Sequence, residues 1–414
     1  MKWLAIYLSS IFILVTFVSC VNSGQGNENI EISFWHMLGG KQNTLLEEIT
    51  AEFMEKHSNI KVDLTSQSNY NKLSQKLSTS LLSPKDLPTM TQAFIDWTIY
   101  PIQDNLIVDI MDLVMNKKYA ENSDPAFVHT DIAYEFVSPL LMDGSLYGMP
   151  FAKSSEVLWY NKDLFERLEL EVPTTFEELV NVSKKIYEET GIPGAGFDSL
   201  SNYFYSYLNN LGITFNPNDV RIEDLVNMAD YYLKGIEEKY FMIAGAEQYL
   251  SKSLGQEQLA MYFGSTASES FILEYVDGRF NVGVAPYLEG KSIKHDIDLF
   301  IFSSASEVEQ LAAWEYIKFL LSEEIQLRWA VETGYLPVKE SVLNSEEYLS
   351  SDSLIPGNVQ ELFNKPIIPN GNAVISEIEL TLEKILSGDG DRENMVKHLQ
   401  NLVDNLSPIW TPIE

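Results

Sequence analysis

Basic residues are scarce in this sequence, and their scarcity excludes the partners that a positive surface would bind. The 414 residues include 28 Lys or Arg against 60 Asp or Glu, which gives a formal net charge of −32. Nucleic acids and anionic membrane surfaces are bound through clustered lysines and arginines. We therefore expect neither as a partner, and the acidity is typical of a solvated, soluble surface.

Cysteine and histidine are equally scarce, with one Cys and five His in the whole chain. No two histidines stand at the spacing of a metal-ligand pair, and a single cysteine cannot build a zinc site. The GxSxG, GxxxxGK[ST] and GxGxxG motifs of hydrolases and nucleotide-binding proteins are missing too. The sequence therefore predicts no metal, no cofactor and no enzymatic activity.

One catalytic alternative stays open. Asp96 or Glu156 could pair with Asp296 or Asp298 as the two carboxylates of a glycosidase. In a chain with 60 acidic residues such pairs arise easily by chance. A secreted carbohydrate-active enzyme is therefore kept only as a minor alternative.

Long apolar runs are absent except at the N-terminus. Lys2 is followed by an uncharged run from Trp3 to Ser19, shorter than the ~20 residues of a membrane-spanning helix. A basic start, an apolar middle and small residues before Cys20 are typical of an export signal. We predict a signal peptide over residues 1–19 and a polar, flexible tether over 20–29.

The sequence Val-Ser-Cys that closes this run resembles the lipobox of bacterial lipoproteins, although Phe17 stands where leucine is usual. The resemblance implies that Cys20 carries a lipid and that the mature protein is extracytoplasmic, anchored to the bacterial cell membrane at the periplasmic or cell surface. A plain anchor helix and a soluble secreted form remain the alternatives.

Hydrophobic patterning after the tether predicts an α/β architecture, and the length allows two domains. Ile30–Trp35, Ile60–Leu64 and Thr89–Phe94 have the patterns of strands, separated by two helical periodicities. Farther along, the capping box Thr175-x-x-Glu178 predicts a helix start. Phe280–Tyr287 and Asp298–Phe302 add strands.

Several ordered segments resemble the family 1 extracellular solute-binding proteins of ABC importers. The most diagnostic is GMPFAKSSEVLWYNKDLF, residues 148–165, followed by PTTFEEL. The supporting segments are ISFWHMLGG, EFMEKHSNIKV, LPTMTQAFIDW, EQLAMYFGSTAS, AAWEYIKFLLS and TGYLPV. Each is weak alone, but their order along the chain is that of the family.

The resemblance implies a two-lobed periplasmic-binding-protein fold of type II, with mixed sheets flanked by helices and a ligand cleft between the lobes. We expect lobe 1 to comprise residues 30–154 plus 297–336, and lobe 2 residues 155–296 plus 337–414. The chain would cross between them near Ser155, His295 and Leu336. Lobe closure would then bury the ligand.

Within the family the motifs are closest to the glycerol-3-phosphate-binding branch, with two departures. His295-Asp296 replaces paired glycines, and Glu377 stands where the branch has an arginine for the phosphate. A dianion would be repelled by Asp296 and Glu377. We therefore expect a neutral sugar or polyol, possibly one carrying an amine.

Candidate ligand-binding residues combine this resemblance with polar and aromatic side chains at expected strand ends. A structural role in the core, at a helix cap or on an exposed surface is the alternative for each. The set is Trp35, His36, Tyr70, Asp96, Trp97, Ser154, Ser155, Tyr203, Ser265, Thr266, Asp296, Tyr335 and Glu377. Trp159 and Tyr160 are expected mostly in the core.

The expected function is the substrate-binding lipoprotein of an ABC importer. It would capture a sugar or polyol and deliver it to permease subunits in the membrane, working as a monomer that touches the membrane only through its lipid. An adhesin-like interaction lipoprotein on the same scaffold is the alternative of a different class.

Overall fold

The structure is a computed structural model that describes residues 29–67, 69–115, 131–245, 249–359, 361–369, 371–388 and 391–413. The predicted signal peptide, Cys20 and all but the last residue of the tether lie outside these ranges. Within them, no helix is both long enough and apolar enough to cross a membrane.

Strands and helices alternate along most of the chain. The strands are β1 Ile30–His36, β2 Ile60–Ser66, β3 Met90–Ala93, β4 Leu141–Met142, β5 Ser145–Leu146, β6 Met149–Asn161, β7 Ala195–Phe197, β8 Phe241–Ile243, β9 Met261–Ser265, β10 Val282–Ala285, β11 Lys291–Ile301 and β12 Glu361–Phe363. The helices are α1 Gly40–Lys56, α2 Tyr70–Ser80, α3 Ile95–Gln103, α4 Ile110–Met115, α5 Tyr134–Val137, α6 Lys162–Arg167, α7 Phe176–Thr190, α8 Leu200–Asn210, α9 Ile222–Glu237, α10 Ser251–Gly255, α11 Glu269–Val276, α12 Glu307–Leu320, α13 Glu323–Thr333, α14 Glu340–Leu343, α15 Glu346–Leu349, α16 Gly371–Leu386 and α17 Arg392–Leu406.

Ten strands form one mixed sheet in the order β2-β1-β3-β11-β6-β9-β7-β8, with β10 joined to β6 and β12 to β11. At one end, β1 pairs in parallel with β2 and β3. At the other end, β7 pairs in parallel with β8 and β9. Parallel strands need covering helices on their faces, which accounts for the alternation along the chain.

Strands β6 and β11 connect the two ends of the sheet. The end of β11 pairs with β3, while the end of β6 pairs with β9 and β10. Between these regions β6 and β11 pair antiparallel with each other, from Lys294 opposite Ser155 to Leu299 opposite Met149. We call the β2-β1-β3 end lobe 1 and the β9-β7-β8 end lobe 2.

Two hydrophobic clusters form the core. The first covers lobe 1 and one face of β9, and the second covers the other side of lobe 2 under α8, α9, α16 and α17. After Leu336 the chain stays with the first cluster, to which Val338 and Ile355 belong. It reaches the second cluster at Ile368. This packing favours a third crossing closer to β12 than to Leu336.

Local sequence signals explain where several helices begin and end. The Asn69 side chain accepts a hydrogen bond from the Lys72 N–H at the start of α2, and Ser306 with Glu309 forms a capping box at α12. Gly191 ends α7 with a φ of 77°, a left-handed conformation that glycine adopts without strain. The strands expected at Ile30, Ile60 and Thr89 are present as β1, β2 and β3.

A fully buried lysine lies at the β6–β11 pairing. The Nζ of Lys153 is 2.8 Å from Asp296 Oδ1 and 2.5 Å from Asp298 Oδ1. Burial would lower the pKa of Lys153, but the two carboxylates outweigh it and the pKa is raised. Because a buried charge is costly without a partner, these three residues depend on one another.

We expect Lys153→Met to destabilise the protein by about 3–5 kcal/mol, because it leaves two buried carboxylates without their shared cation. Urea unfolding followed by circular dichroism at pH 7.5 measures the free energy of unfolding. Lys61→Met is the matched control, since Lys61 forms an exposed pair with Glu31 and its loss should leave stability essentially unchanged. Equal stability of the two variants would contradict the role given to Lys153.

Candidate ligand-binding cleft

Three cavities lie where the lobes meet. The tyrosine cavity, of about 380 Å³, is lined by residues that include Met37, Gly39, Asn69, Tyr70, Tyr249, Ser265, Ser268, Phe271 and Tyr335. The Glu379 cavity, of about 480 Å³, continues from Asn69, Tyr70 and Tyr249 to Asp198, Ser199, Ala244, Ile375 and Glu379. The hinge cavity, of about 80 Å³, is lined mainly by Phe94, Asp96, Tyr205, Lys294, His295, Asp296, Lys365, Ile368 and Ile375.

Aromatic rings from both lobes line the tyrosine cavity. Tyr70 begins α2, stacks on Phe94 with ring centroids 5.2 Å apart, and hydrogen-bonds to Tyr335. Tyr335 follows the end of α13 at Gly334 and stacks on Trp329. Tyr249 lies on the side of lobe 2 and is 51% exposed. Flat faces with polar tips are suited to the apolar faces and hydroxyl groups of sugars.

A carboxylate hydrogen-bonded to the start of α8 lines the Glu379 cavity. Glu379 Oε1 accepts hydrogen bonds from the Ser199 hydroxyl at 2.8 Å and from the Ser201 N–H at 2.9 Å. A carboxylate is favoured at a helix N-terminus because the helix dipole is positive there. Glu379 is thus held in place and retains acceptor sites for ligand hydroxyl groups.

Charges of both signs line the hinge cavity. Lys294 Nζ lies 3.4 Å from Asp296 Oδ1. Burial alone would raise the pKa of Asp296. The ammonium groups of Lys153 and Lys294 outweigh burial and hold this pKa below its usual range. Burial raises the pKa of Asp96 to about 6 and lowers that of His295 to about 3. The Asp296 carboxylate is therefore already compensated by protein cations.

Five of the predicted ligand-binding residues line these cavities. Tyr70, Ser265 and Tyr335 line the tyrosine cavity, and Tyr70 also lines the Glu379 cavity. Asp96 and Asp296 line the hinge cavity. These five residues therefore lie where the two lobes meet. Their contact with a ligand stays a prediction.

Three aromatic candidates of lobe 1 lie outside the three cavities. The Trp35 ring lies under Lys76 Nζ, 3.7 Å from the ring centroid. Trp97 packs edge-on against Phe94 at 5.1 Å. His36 is fully buried beside Phe34, with neither ring nitrogen hydrogen-bonded within the described part of the chain. Trp35 and His36 are neighbours on β1, so their side chains lie on opposite faces of the sheet, while Trp97 lies in α3.

Four further candidates are buried by the strands and helices that carry them. Ser154 and Ser155 are buried in the β6–β11 pairing and line none of the three cavities. Tyr203 is fully buried in lobe 2, where its hydroxyl donates to the Met228 carbonyl oxygen at 2.6 Å. The Thr266 side chain is fully buried next to Ser265. Trp159 is fully buried, as expected, while Tyr160 is half-buried.

Two expectations about charge need correction. Glu377 does not face the cleft, because its Oε1 accepts a hydrogen bond from Asn405 of α17 on the outer side of α16. Two residues farther along the helix, Glu379 is the acid that lines a cavity. The expected repulsion of a dianion by Asp296 assumed that no cation lies beside this carboxylate. That assumption is wrong, since Lys294 and Lys365 line the hinge cavity with Asp296.

Sequence reasoning missed several residues that line the cavities, above all Tyr249, Lys294, Lys365 and Glu379. Lys365 had the clearest signal, because it is the lone cation in the apolar and proline-rich stretch between β12 and α16. Of the side chains in the described ranges, no three His, Cys, Asp or Glu residues are grouped so that they could hold a metal ion.

A family model described as bacterial extracellular solute-binding protein matches residues 48–356. This match covers most of the chain. The chain belongs to this family.

Curated relatives and solved structures agree with this membership. The sn-glycerol-3-phosphate-binding periplasmic protein UgpB of Rhizobium meliloti (strain 1021) is 25% identical over 342 residues, which cover 76% of each chain. UgpB from Mycobacterium tuberculosis, solved with glycerophosphocholine, has a TM-score of 0.78 at 19% identity and covers 92% of this chain and 98% of that one. The Streptomyces glaucescens GacH receptor, solved unliganded and with acarbose, has a TM-score of 0.78 at 16% identity, with 92% and 99% covered.

These findings confirm the two-lobed α/β fold and the function of a solute-binding protein of the ABC-importer type. They favour binding over catalysis and an extracytoplasmic location, and they give no support to the adhesin-like alternative. Because these solved structures are less than 25% identical to this chain, their similarity establishes the fold and does not identify the ligand.

We expect stability to fall between pH 6.5 and pH 4 in part through His36. Burial lowers its native pKa from 6.5 to about 4, so the unfolded chain binds the proton first as the pH falls. The free energy of unfolding should therefore fall by about 2 kcal/mol from pH 7 to pH 5 through the His36 contribution alone. Urea unfolding of wild type and His36→Gln at several pH values measures this loss, and parallel stability curves would contradict it.

Proposed function

We propose that this protein captures a sugar or polyol between its lobes and presents it to the permease of an ABC importer. The observation that carries the proposal is the pair of larger cavities, which residues of both lobes line together. Tyr70 and Tyr249 line both cavities. A ligand held there touches both lobes at once, so its binding energy favours the closed form.

The lining of these cavities favours a hydroxylated ligand over an apolar one. Four tyrosines supply aromatic faces, while Asn69, Ser199, Ser268 and Glu379 supply hydrogen-bonding groups. Cavities of 380 and 480 Å³ are within the usual range for small-molecule sites. Acarbose and glycerophosphocholine, the ligands solved with the GacH receptor and with UgpB from Mycobacterium tuberculosis, are polyhydroxylated or carry a glycerol unit.

Membrane tethering completes the proposal. Cys20 would carry a lipid after removal of residues 1–19, and residues 20–29 would hold the monomeric binding protein near its permease. Lobe 1 would comprise 30–154 plus 297–336 and lobe 2 155–296 plus 337–414, with β6 and β11 as the hinge strands. Packing of Val338 and Ile355 on the first cluster supports moving the last boundary toward β12.

A thermal-shift and calorimetry panel tests the ligand class. The probes are glycerol, glucose, maltose, maltotriose, glucosamine, glucose 6-phosphate, glycerol-3-phosphate and glycerophosphocholine. At least one hydroxylated probe should raise the melting temperature, because binding to the native state stabilises it by mass action. No shift with any probe would overturn the proposal, and consumption of a probe would indicate an enzyme instead.

Tyr249→Ala should weaken binding of that probe about 3- to 10-fold, because an aromatic face contributes roughly 0.5–1.5 kcal/mol beyond its buried area. Its half-exposed ring makes a large loss of stability unexpected. Tyr134→Ala is the matched control, since Tyr134 is 72% exposed and lines none of the three cavities. Equal affinity of the two variants would remove Tyr249 from the site.

The lipid anchor has an independent test. Expressed in a bacterium with lipoprotein processing, the wild type should label with radioactive palmitate and fractionate with membranes. Cys20→Ser should lose the label and enter the soluble fraction if the signal is still cleaved. A wild type without label would show that the cysteine is not modified.

A further inference from the structure

The hinge cavity holds one carboxylate and one ammonium that do not pair with each other. Asp96 belongs to the first turn of α3 in lobe 1, and Lys365 lies between β12 and α16 in lobe 2. Both line the cavity. Over the described residues, Lys365 makes no hydrogen bond or ion pair within 4.0 Å, and Asp96 makes no ion pair.

The other charges of this cavity already have partners. Asp296 is bound by Lys153 at 2.8 Å and by Lys294 at 3.4 Å. Lys294 also donates to the Glu135 carbonyl oxygen at 2.5 Å. The unpaired charge in the cavity is therefore concentrated on Asp96 and Lys365.

Asp96 and Lys365 are close enough to influence each other. Burial lowers the pKa of Lys365, and Asp96 is the carboxylate that counteracts this most strongly. The Asp96 carboxylate lies against the first residue of α16, where a Cβ on Gly371 would overlap its Oδ2. One group from each lobe thus lines the same small cavity at the junction of the lobes.

We propose that Asp96 and Lys365 form a split ion pair that a neutral hydroxyl or vicinal diol of the ligand bridges when the lobes close. This inference rests on the proposed capture of a sugar or polyol. The bridging group donates a hydrogen bond to the Asp96 carboxylate and accepts one from the Lys365 ammonium. Closure then satisfies one charged group from each lobe.

The chemistry of the cavity selects for a hydroxyl group. A hydroxyl both donates and accepts, whereas an ammonium only donates and a carboxylate or phosphate only accepts. An anionic group on Lys365 would be repelled by Asp96, and a cationic group on Asp96 would be repelled by Lys365. A volume of about 80 Å³ admits the end of a molecule and not a sugar ring.

The variants Asp96→Asn, Lys365→Met and their double mutant test this bridge. Asparagine retains an acceptor for the backbone N–H groups that Asp96 binds at α3, and methionine matches the buried stem of Lys365. Calorimetry measures affinity for the neutral probes glycerol, glucose and maltose and for glucosamine, glucose 6-phosphate and glycerol-3-phosphate. The controls are Glu377→Gln and Lys291→Met, both away from the three cavities.

We expect each single variant to weaken the neutral probe that the wild type binds by about 10- to 100-fold, because each loses a hydrogen bond to a charged group. The affinity of the double mutant should fall by less than the product of the two single fold-changes, since both residues bind the same ligand group. The controls should bind as the wild type does.

The outcomes separate this inference from the proposed function. Wild-type binding that both variants retain overturns the split ion pair and leaves sugar capture intact. Stronger wild-type binding of glucose 6-phosphate than of glucose, or of glycerol-3-phosphate than of glycerol, also overturns it in favour of an anion site at Lys365. Failure of the wild type to bind any of the probes overturns both proposals.

Discussion

The burial of Lys153 between Asp296 and Asp298 is the constraint on which the rest of the structure depends. These residues lie where β6 and β11 pair between the lobes, so the charge cluster occupies the crossing itself. A buried ammonium requires both carboxylates nearby, which favours one register of the two strands. That register in turn sets the positions of Ser155, Lys294 and His295 relative to the cleft.

From this fixed crossing the mixed sheet extends into the parallel strands of each lobe, and the helices of the two lobes meet around the cleft. The start of α2 contributes Tyr70, α3 contributes Asp96, and α16 contributes Glu379. Asn372 Nδ2 donates to Ser74 Oγ at 2.5 Å, which adds a contact between α16 and α2. The binding surfaces thus come from the starts of α2 and α3 and from the middle of α16, which a hinge can move together with their lobes while the interior of each lobe stays packed.

Sequence patterns predicted the lobe-1 strands well because β1, β2 and β3 carry strong local periodicity. The candidate site was harder, as Ser154, Ser155 and Trp35 show. Trp35 lies in a strand that was expected correctly, and Ser154 and Ser155 lie in β6. The side on which each of these side chains lies follows from pairing with strands far away in the sequence. The same holds on a helix. Glu377 and Glu379 are only two residues apart on α16, yet Glu377 lies on its outer side and Glu379 lines the cleft.

The sequence by itself determined the class of protein. Its acidity and scarce cysteine excluded other classes, its alternating strands and helices indicated an α/β fold, and its ordered motifs resemble those of two-lobed solute-binding proteins. Only the tertiary structure decided which polar groups meet in the cleft. Lys365 and Asp96 are 269 residues apart (365 − 96), and no local pattern relates them. They share a cavity because β12 joins β11 in lobe 2 while α3 follows β3, which joins β11 in lobe 1.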